Sequence, residues 1–397
     1  MTAGSAVEFA QPSYAAAEGA ALTVTVRRTG DTSQAASVDY ATDDGSMQSV
    51  PTPCSAAETF ALDRCDYTKA LGTLRFAAGE AEKTFRILVA DDSYEEGPET
   101  ARLRLSNATG CAFGANTDAA FTITDDSPES SGNPADDSAK FVAQQYRDFL
   151  NREPDAAGLA FWTGEIEKCG ADAQCREVKR VNVSAAFFLS IEAQETSFFA
   201  YRAHKAAYGD ATAPGADGTV PVIRFEQFLS DAGRLGAGVV VGEGDWPARL
   251  QANREAYLLD FVQQRRFRGA YPLSMTAGQF VDVMAMNAGL KLTQSERDGL
   301  VNTLGQTPSD AARRAQVLSA FAGDPRLRQA ELNRAFVLLE YFGYLRRNPS
   351  DAPEPGLNYG GWRFWLDKLE QFGGNFVRAE MVKAFISSGE YRNRFGQ

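Results

Sequence analysis

From Val7 to Thr124 apolar and polar residues alternate in short runs, as in Leu22-Thr-Val-Thr-Val-Arg, Leu71-Gly-Thr-Leu-Arg-Phe, Thr84-Phe-Arg-Ile-Leu-Val, Ala101-Arg-Leu-Arg-Leu and Ala120-Phe-Thr-Ile-Thr. A period of two puts successive side chains on opposite faces of a pleated strand, so each run predicts a half-buried strand. Turns bearing glycine or aspartate, such as Thr29-Gly-Asp, Asp44-Gly and Ala78-Gly-Glu, separate the runs. The whole predicts an all-β antiparallel sandwich of the immunoglobulin-like kind, with about seven strands. The segment from Cys54 to Cys65 reads as a hairpin insertion. Beyond residue 139 the spacing becomes helical, at Phe141, Val142, Tyr146, Phe149 and Leu150 and again at Ala335, Val337, Leu338, Tyr341, Phe342 and Leu345. Between the two patterns, Ser127 to Ser138 holds two prolines and almost no apolar side chain. Such a stretch cannot feed a core. The chain is therefore expected to be multidomain: a sandwich over 1–127, a linker over 128–138, and a mainly α-helical domain over 139–397. Ser138 is placed to cap the first helix.

The helical part carries a diverged internal repeat, over 139–209 and 334–397. Tyr146-Arg-Asp-Phe-Leu-Asn-Arg-Glu-Pro-Asp-Ala-Ala-Gly-Leu-Ala-Phe-Trp162 resembles Tyr341-Phe-Gly-Tyr-Leu-Arg-Arg-Asn-Pro-Ser-Asp followed by Gly361-Trp-Arg-Phe-Trp-Leu. Each reads as helix, Pro-containing turn, helix. The second copy holds an insertion, Asp351 to Tyr359. Residues 210–330 match neither copy.

Charge divides the chain along the same line. Residues 1–137 hold 22 acidic and 9 basic residues, whereas 138–397 hold 30 and 31. Acidity concentrated in one domain disfavours nucleic acid as a partner and suits divalent cations. Met1-Thr-Ala-Gly-Ser shows no basic and apolar leader, and no stretch approaches the roughly 18 apolar residues of a membrane span. Cys54 with Cys65, and Cys169 with Cys175, bracket short loops. Both pairs are expected as disulfides, with Gly170 providing the bend that the second needs, and they favour an oxidising, extracellular compartment. Cys111 is left over and is expected as a small buried apolar side chain.

Glu18, Asp66, Asp91, Asp92, Glu96, Asp125 and Asp126 all fall at strand ends or in turns. A sandwich gathers alternate loops at one end. Without a counter-ion these carboxylates would repel one another, whereas Ca²⁺ takes six to eight oxygens at about 2.3–2.6 Å. The order Asp66-Tyr, Leu71-Gly-Thr-Leu-Arg-Phe-Ala-Ala-Gly-Glu, Asp91-Asp-Ser-Tyr-Glu-Glu-Gly-Pro-Glu-Thr, Leu105-Ser-Asn, Asp125-Asp resembles the Calx-beta domain family. That resemblance implies a calcium-binding sandwich over about residues 6–127, with those seven acidic residues as ligands. Ser93 and Ser127 stand where the family often has a third aspartate, which weakens at least one site. The stretch Phe141 to Trp162 resembles the DUF4214 family of bacterial secreted and surface proteins, with a more diverged match over Phe336 to Phe395. This second resemblance implies an extracellular setting and envelope contact.

Enzyme chemistry finds little to stand on. His204 is the only histidine, so a Ser/His/Asp triad or a multi-histidine zinc site has almost nothing to use. It is expected as an exposed helical residue. The arginines at 265–268, 313–314 and 346–347 read as solvated helix faces, and Trp162, Trp362 and Trp365 as core. The protein is expected to be a non-catalytic, secreted or surface-displayed structural or adhesive module with a calcium-stabilised sandwich. The alternatives are a subunit of an extracellular filament or surface layer and a carbohydrate-binding or carbohydrate-active protein using Trp362 and Trp365; the partners expected are further copies of the chain or an envelope or matrix glycan.

Overall fold

The computed structural model describes residues 4–44, 53–54, 59–125, 129, 132–212 and 218–396. Alternation produces the strands it predicts. The sandwich strands are β1 (Ala6–Phe9), β2 (Ser13–Ala17), β3 (Ala21–Thr29), β4 (Ala36–Asp43), β5 (Leu71–Phe76), β6 (Glu82–Leu88), β7 (Glu99–Thr109), β8 (Ala112–Phe113) and β9 (Asp118–Thr124). One sheet runs β6-β3-β1-β8 and the other β2-β9-β7-β4-β5. Val24, Val26, Val38, Phe76, Ile87, Leu103 and Phe121 fill the space between them.

Two pairings depart from an all-antiparallel arrangement, since β1 lies parallel to β8 and β2 parallel to β9. The chain changes sheets between β1 and β2, at Ala10 to Pro12. Pro12 has no N–H for a ladder, which suits it to the break, although its carbonyl still accepts from Ala120 N at 3.1 Å. The cysteine-bearing insertion joins β4 to β5, which pair antiparallel. Cys54 and Cys65 are bonded there, and with Leu62 they form a small buried cluster against Phe60 and Tyr94.

The rest is mainly helical. In chain order the helices are α1 (Ser138–Leu150), α2 (Ala156–Glu167), α3 (Ala173–Leu189), α4 (Ile191–Glu195), α5 (Ser197–Tyr208), α6 (Phe225–Gly236), α7 (Trp246–Phe261), α8 (Arg265–Ala270), α9 (Ala277–Ala288), α10 (Gln294–Leu304), α11 (Ala311–Ala322), α12 (Pro325–Gly343), α13 (Gly360–Gln371), α14 (Met381–Ile386) and α15 (Gly389–Arg392). A small hairpin, β10 (Asp210–Thr212) with β11 (Thr219–Pro221), follows α5. The α1 cap is Asp137, not Ser138: its Oδ1 accepts from Ala139 N and Lys140 N, both at 2.8 Å. Asp137 stands with extended backbone before the first helical residue, where its charged oxygen satisfies two free first-turn amides. Cys169, just after α2, is bonded to Cys175 in the first turn of α3, with Gly170 at φ +56 making the bend.

The chain divides into two compact units, and the division differs from the one read in the sequence. The first holds residues 1–185, 343–346 and 382–397, so the sandwich shares a unit with α1, α2 and most of α3. Asn133, inside the expected linker, donates from Nδ2 to the carbonyls of Arg392 (3.0 Å) and Gly396 (2.8 Å). In the same unit Arg394 pairs with the buried Asp148 at 3.1 Å. The second unit, residues 186–342 and 347–381, is built around α5, α7, α9 and α11, with Phe261, Phe267, Phe280 and Leu318 in its core.

The two repeat copies share local geometry. Asn151 (φ 51) and Arg346 (φ 53) take left-handed backbone, and the next amide donates to the carbonyl six residues back, Arg152 to Tyr146 and Arg347 to Tyr341, both at 3.4 Å. Each arginine lies over that tyrosine ring, at 4.9 and 5.3 Å. Each also faces a carboxylate, Asp155 at 3.6 Å and Glu354 at 3.7 Å. That carboxylate accepts from a glycine amide, Gly158 at 2.7 Å and Gly361 at 2.9 Å. In the second copy the insertion supplies the acid that the first takes from its Pro-Asp turn. A Cβ on either glycine would overlap the tyrosine hydroxyl.

Candidate metal centre

The acidic residues converge at one end of the sandwich, each held there by backbone hydrogen bonds. Glu18 occupies the turn from β2 to β3, with its N–H on Thr124 O at 3.2 Å, and the next amide, of Gly19, donates to Ala90 O at 2.7 Å. Gly19 sits at φ +67, where an L side chain is strained. Asp66 leaves the cysteine insertion, its carbonyl accepting from Ala90 N (2.7 Å) and its Oδ2 from Leu62 N (2.5 Å). Asp92 follows β6, and its Oδ1 accepts from Tyr94 N at 2.8 Å. Asp125 closes β9, its Oδ2 accepting from Glu96 N and Gly97 N, both at 3.2 Å.

Asp66, Asp92 and Glu96 each present a carboxylate oxygen within 4.8 Å of the others. Oxygens on opposite sides of one Ca²⁺ lie about 5 Å apart, so three oxygens at this spacing fit a single ion. The electrostatics point the same way. Burial, then the charges of Asp92, Glu129 and Asp125, pushes the Glu18 carboxyl up to about 9. Burial together with Asp66, Asp92 and Asp125 raises Glu96 to about 8, and burial with Asp66, Asp91 and Asp125 raises Asp92 to about 7. Glu18 Oε2 is buried with no hydrogen-bond partner among the described residues. Hard oxygen donors, crowded until they hold protons at neutral pH, are a set that a divalent cation would relieve.

Of the residues expected from the sequence, Asp66, Asp92 and Glu96 come together, with Glu18 and Asp125 close enough to act on their charge. Asp91 is turned to an ion pair with Lys140, Nζ to Oδ1 at 3.0 Å. Asp126 and Ser127 lie outside the described residues. Ser93 donates to Phe395 O at 3.2 Å. Sequence reasoning missed Glu99, which is buried and shares a hydrogen bond with Asp66. Burial, and then the neighbouring Asp66, raises its carboxyl well above the usual range. The signal was there: Glu99 shares the inward register of Ala101, Leu103 and Leu105 on β7. Glu129, from the expected linker, adds its charge near Glu18 and Glu96.

Several expectations elsewhere are corrected. His204 is buried rather than exposed, its Nε2 2.7 Å from Asp231 Oδ2, which also accepts from Tyr257 at 3.1 Å. An aspartate partner on α6 makes burial of the imidazole affordable. Cys111 is free but half-exposed, since it lies in the turn from β7 to β8. Arg314, Arg346 and Arg347 are buried rather than solvated. Arg314 shows why, donating to the carbonyls of Pro308 (2.7 Å), Tyr271 (2.7 Å) and Pro272 (2.9 Å). Trp362 is core, whereas Trp162 and Trp365 are only half-buried. Each of those two stands edge-on to an exposed neighbour: Phe161 to Trp162 at 4.9 Å and Phe364 to Trp365 at 5.0 Å, with interplanar angles of 76° and 78°.

With this geometry in view, comparison with known proteins identifies both parts. A Calx-beta domain profile matches residues 2–127, and a profile described as a domain of unknown function, DUF4214, matches 121–197. Residues 2–127 are thus similar to the Calx-beta domain family and residues 121–197 to the DUF4214 family. The diverged second copy of the repeat lies outside that match. Similar solved structures include the apo-form CBD1 domain of Calx, at 30% identity, covering 31% of this chain and 99% of that one, with a TM-score of 0.27. Another is the calcium binding domain CBD12 of CALX1.1, at 33% identity, covering 30% of this chain and 45% of that one, with a TM-score of 0.25. No match was found among curated proteins.

Proposed function

We propose that the protein is a non-catalytic structural or adhesive module of the extracellular space, in which calcium binds at the loop end of the sandwich and rigidifies it. The observation that carries this reading is the convergence of Asp66, Asp92 and Glu96 within 4.8 Å. Glu18, Glu99 and Asp125 would complete the oxygen set. Two disulfides support an oxidising compartment. Among the described residues no helix is long and apolar enough to cross a membrane. Sites of such extracellular modules bind calcium at about 10⁻⁴–10⁻³ M. Calorimetric titration of the full chain with calcium should return a constant in that range. Asp92→Asn should weaken it by about tenfold or more, because a ligand charge is lost from the centre. Absence of any calcium heat, with the protein folded, would remove this reading.

A second reading has its own observation. The Phe161–Trp162 and Phe364–Trp365 pairs recur at the same repeat position, with Phe161 58% and Phe364 57% exposed. An aromatic face left open in both copies suits stacking on a sugar ring. A glycan array should then show binding that Phe161→Ala and Phe364→Ala diminish; an array without signal would leave the pairs as surface packing.

A further inference from the structure

Helix α1 meets the loops that carry the carboxylates, and it brings positive charge to them. Lys140 Nζ lies 3.0 Å from Asp91 Oδ1. Two turns further on, Arg147 is nearly buried and donates to the carbonyls of Gly19 (2.6 Å) and Val89 (3.0 Å). These are the residue after Glu18 and the residue two before Asp91. Glu153 takes another edge of the same guanidinium at 3.0 Å. Arg147 therefore anchors α1 to both acidic loops, and that anchoring sets where Lys140 can reach.

Asp91 is near enough to the centre to raise the proton affinity of Asp92. Beside the ion pair lies a cavity of about 250 Å³, lined among others by Gly19, Asp91, Lys140, Gln144 and Arg147. The pocket is open and much of its wall is apolar, from Pro134, Ala139, Ala143, Leu159 and Phe395, so what it leaves beside Asp91 is room for water. Asp91 thus has a carboxylate, a neighbouring acidic centre and room, and its charge is already answered by an ammonium from the same chain.

We propose that Lys140 is a tethered counter-ion that holds Asp91 out of the metal centre, so that this ion pair and a further divalent ion at Asp91 exclude one another. The proposal rests on the calcium reading of the centre. An ammonium and a calcium ion on one carboxylate repel each other strongly at such short range. Helix α1 would then limit how much calcium the sandwich takes, and calcium in excess would loosen the contact of Lys140 with it.

Equilibrium dialysis and calorimetric titration of the full chain with calcium chloride test this on the wild type, Lys140→Met, Lys140→Met with Asp91→Asn, and Lys83→Met. Lys140→Met should bind an additional calcium ion, or bind calcium about tenfold more tightly, through loss of the repelling charge. Adding Asp91→Asn should abolish that gain. Lys83, paired with Glu80 at 2.8 Å near the start of β6, controls for net charge, and Lys83→Met should titrate as the wild type. Circular dichroism checks that each variant is folded. If the wild type and Lys140→Met bind calcium identically, the assignment of Lys140 is overturned while the calcium reading stands. If neither binds calcium, the reading falls and takes the assignment with it.

Discussion

Raised proton affinity at Glu18, Asp92 and Glu96 makes stability depend on pH in a direction opposite to that of an ordinary ion pair. A carboxyl whose folded value exceeds its unfolded value of about 4.5 binds more protons folded than unfolded, so stability falls as pH rises between the two. With folded values of about 7, 8 and 9, the loss should extend from about pH 5 to about pH 9. Depressed carboxyls such as Glu165, held at about 2 by Lys168 and Lys179, are ionised throughout that window and contribute no slope. In chelator, the melting temperature of the unit holding the sandwich should therefore drop by several degrees from pH 6 to pH 9. Calcium should flatten the slope, because it replaces the protons. A calcium-free melting temperature that rises over this range would contradict the arrangement. Most of this centre was legible in the sequence, because acids at strand ends of a sandwich must meet at its ends. Glu99 was marked only by its place at the inward register of β7, and an acid there takes on meaning once the other carboxylates surround it. The partner of Asp91 was not legible, because Lys140 comes from a helix 49 residues later.

At the scale of elements, the repeat shows how far a motif determines local structure. A left-handed residue ends the first helix, an arginine covers the tyrosine ring, and a carboxylate caps the glycine at the start of the second helix in both copies. The spacing of Tyr146 and Gly158 was visible in the sequence. The contact between them was not, because it depends on how closely α1 and α2 pack. Gly158→Ala should destabilise the protein by about 1–3 kcal/mol, as overpacking does, despite the better helix propensity of alanine. Tyr146→Phe, by removing the hydroxyl, should recover part of that loss in the double variant. Thermal unfolding of the two single variants and the double variant measures the coupling; strict additivity would mean that the glycine is there for another reason. Strand prediction fared well because alternation is a local signal. Parallel pairing of β1 with β8 and of β2 with β9 brings together residues more than 100 positions apart, and nothing local encodes it.

For the whole molecule, the change of period near residue 139 marks a change of secondary structure, whereas compactness follows packing. Helices α1 and α2, most of α3 and the C-terminal residues 382–397 belong with the sandwich, through contacts such as Arg147 on Gly19 and Val89, Asn133 on Gly396, and Arg394 on Asp148. A stabilising ligand of the sandwich should therefore act on a unit of roughly 200 residues rather than on one the size of an ordinary sandwich domain. If calcium binds with a dissociation constant near 10⁻⁴ M, about 10 mM of it would add about 2.7 kcal/mol to the stability of whatever unit folds around the site. In a unit of that size, this corresponds to a rise of about 5–10 °C. Scanning calorimetry of the full chain in chelator and in 10 mM calcium is the direct measurement. One transition is expected to move up by that amount, and by about half as much in Asp92→Asn, while the transition of the second unit stays in place. Superimposable traces in chelator and calcium would contradict this expectation.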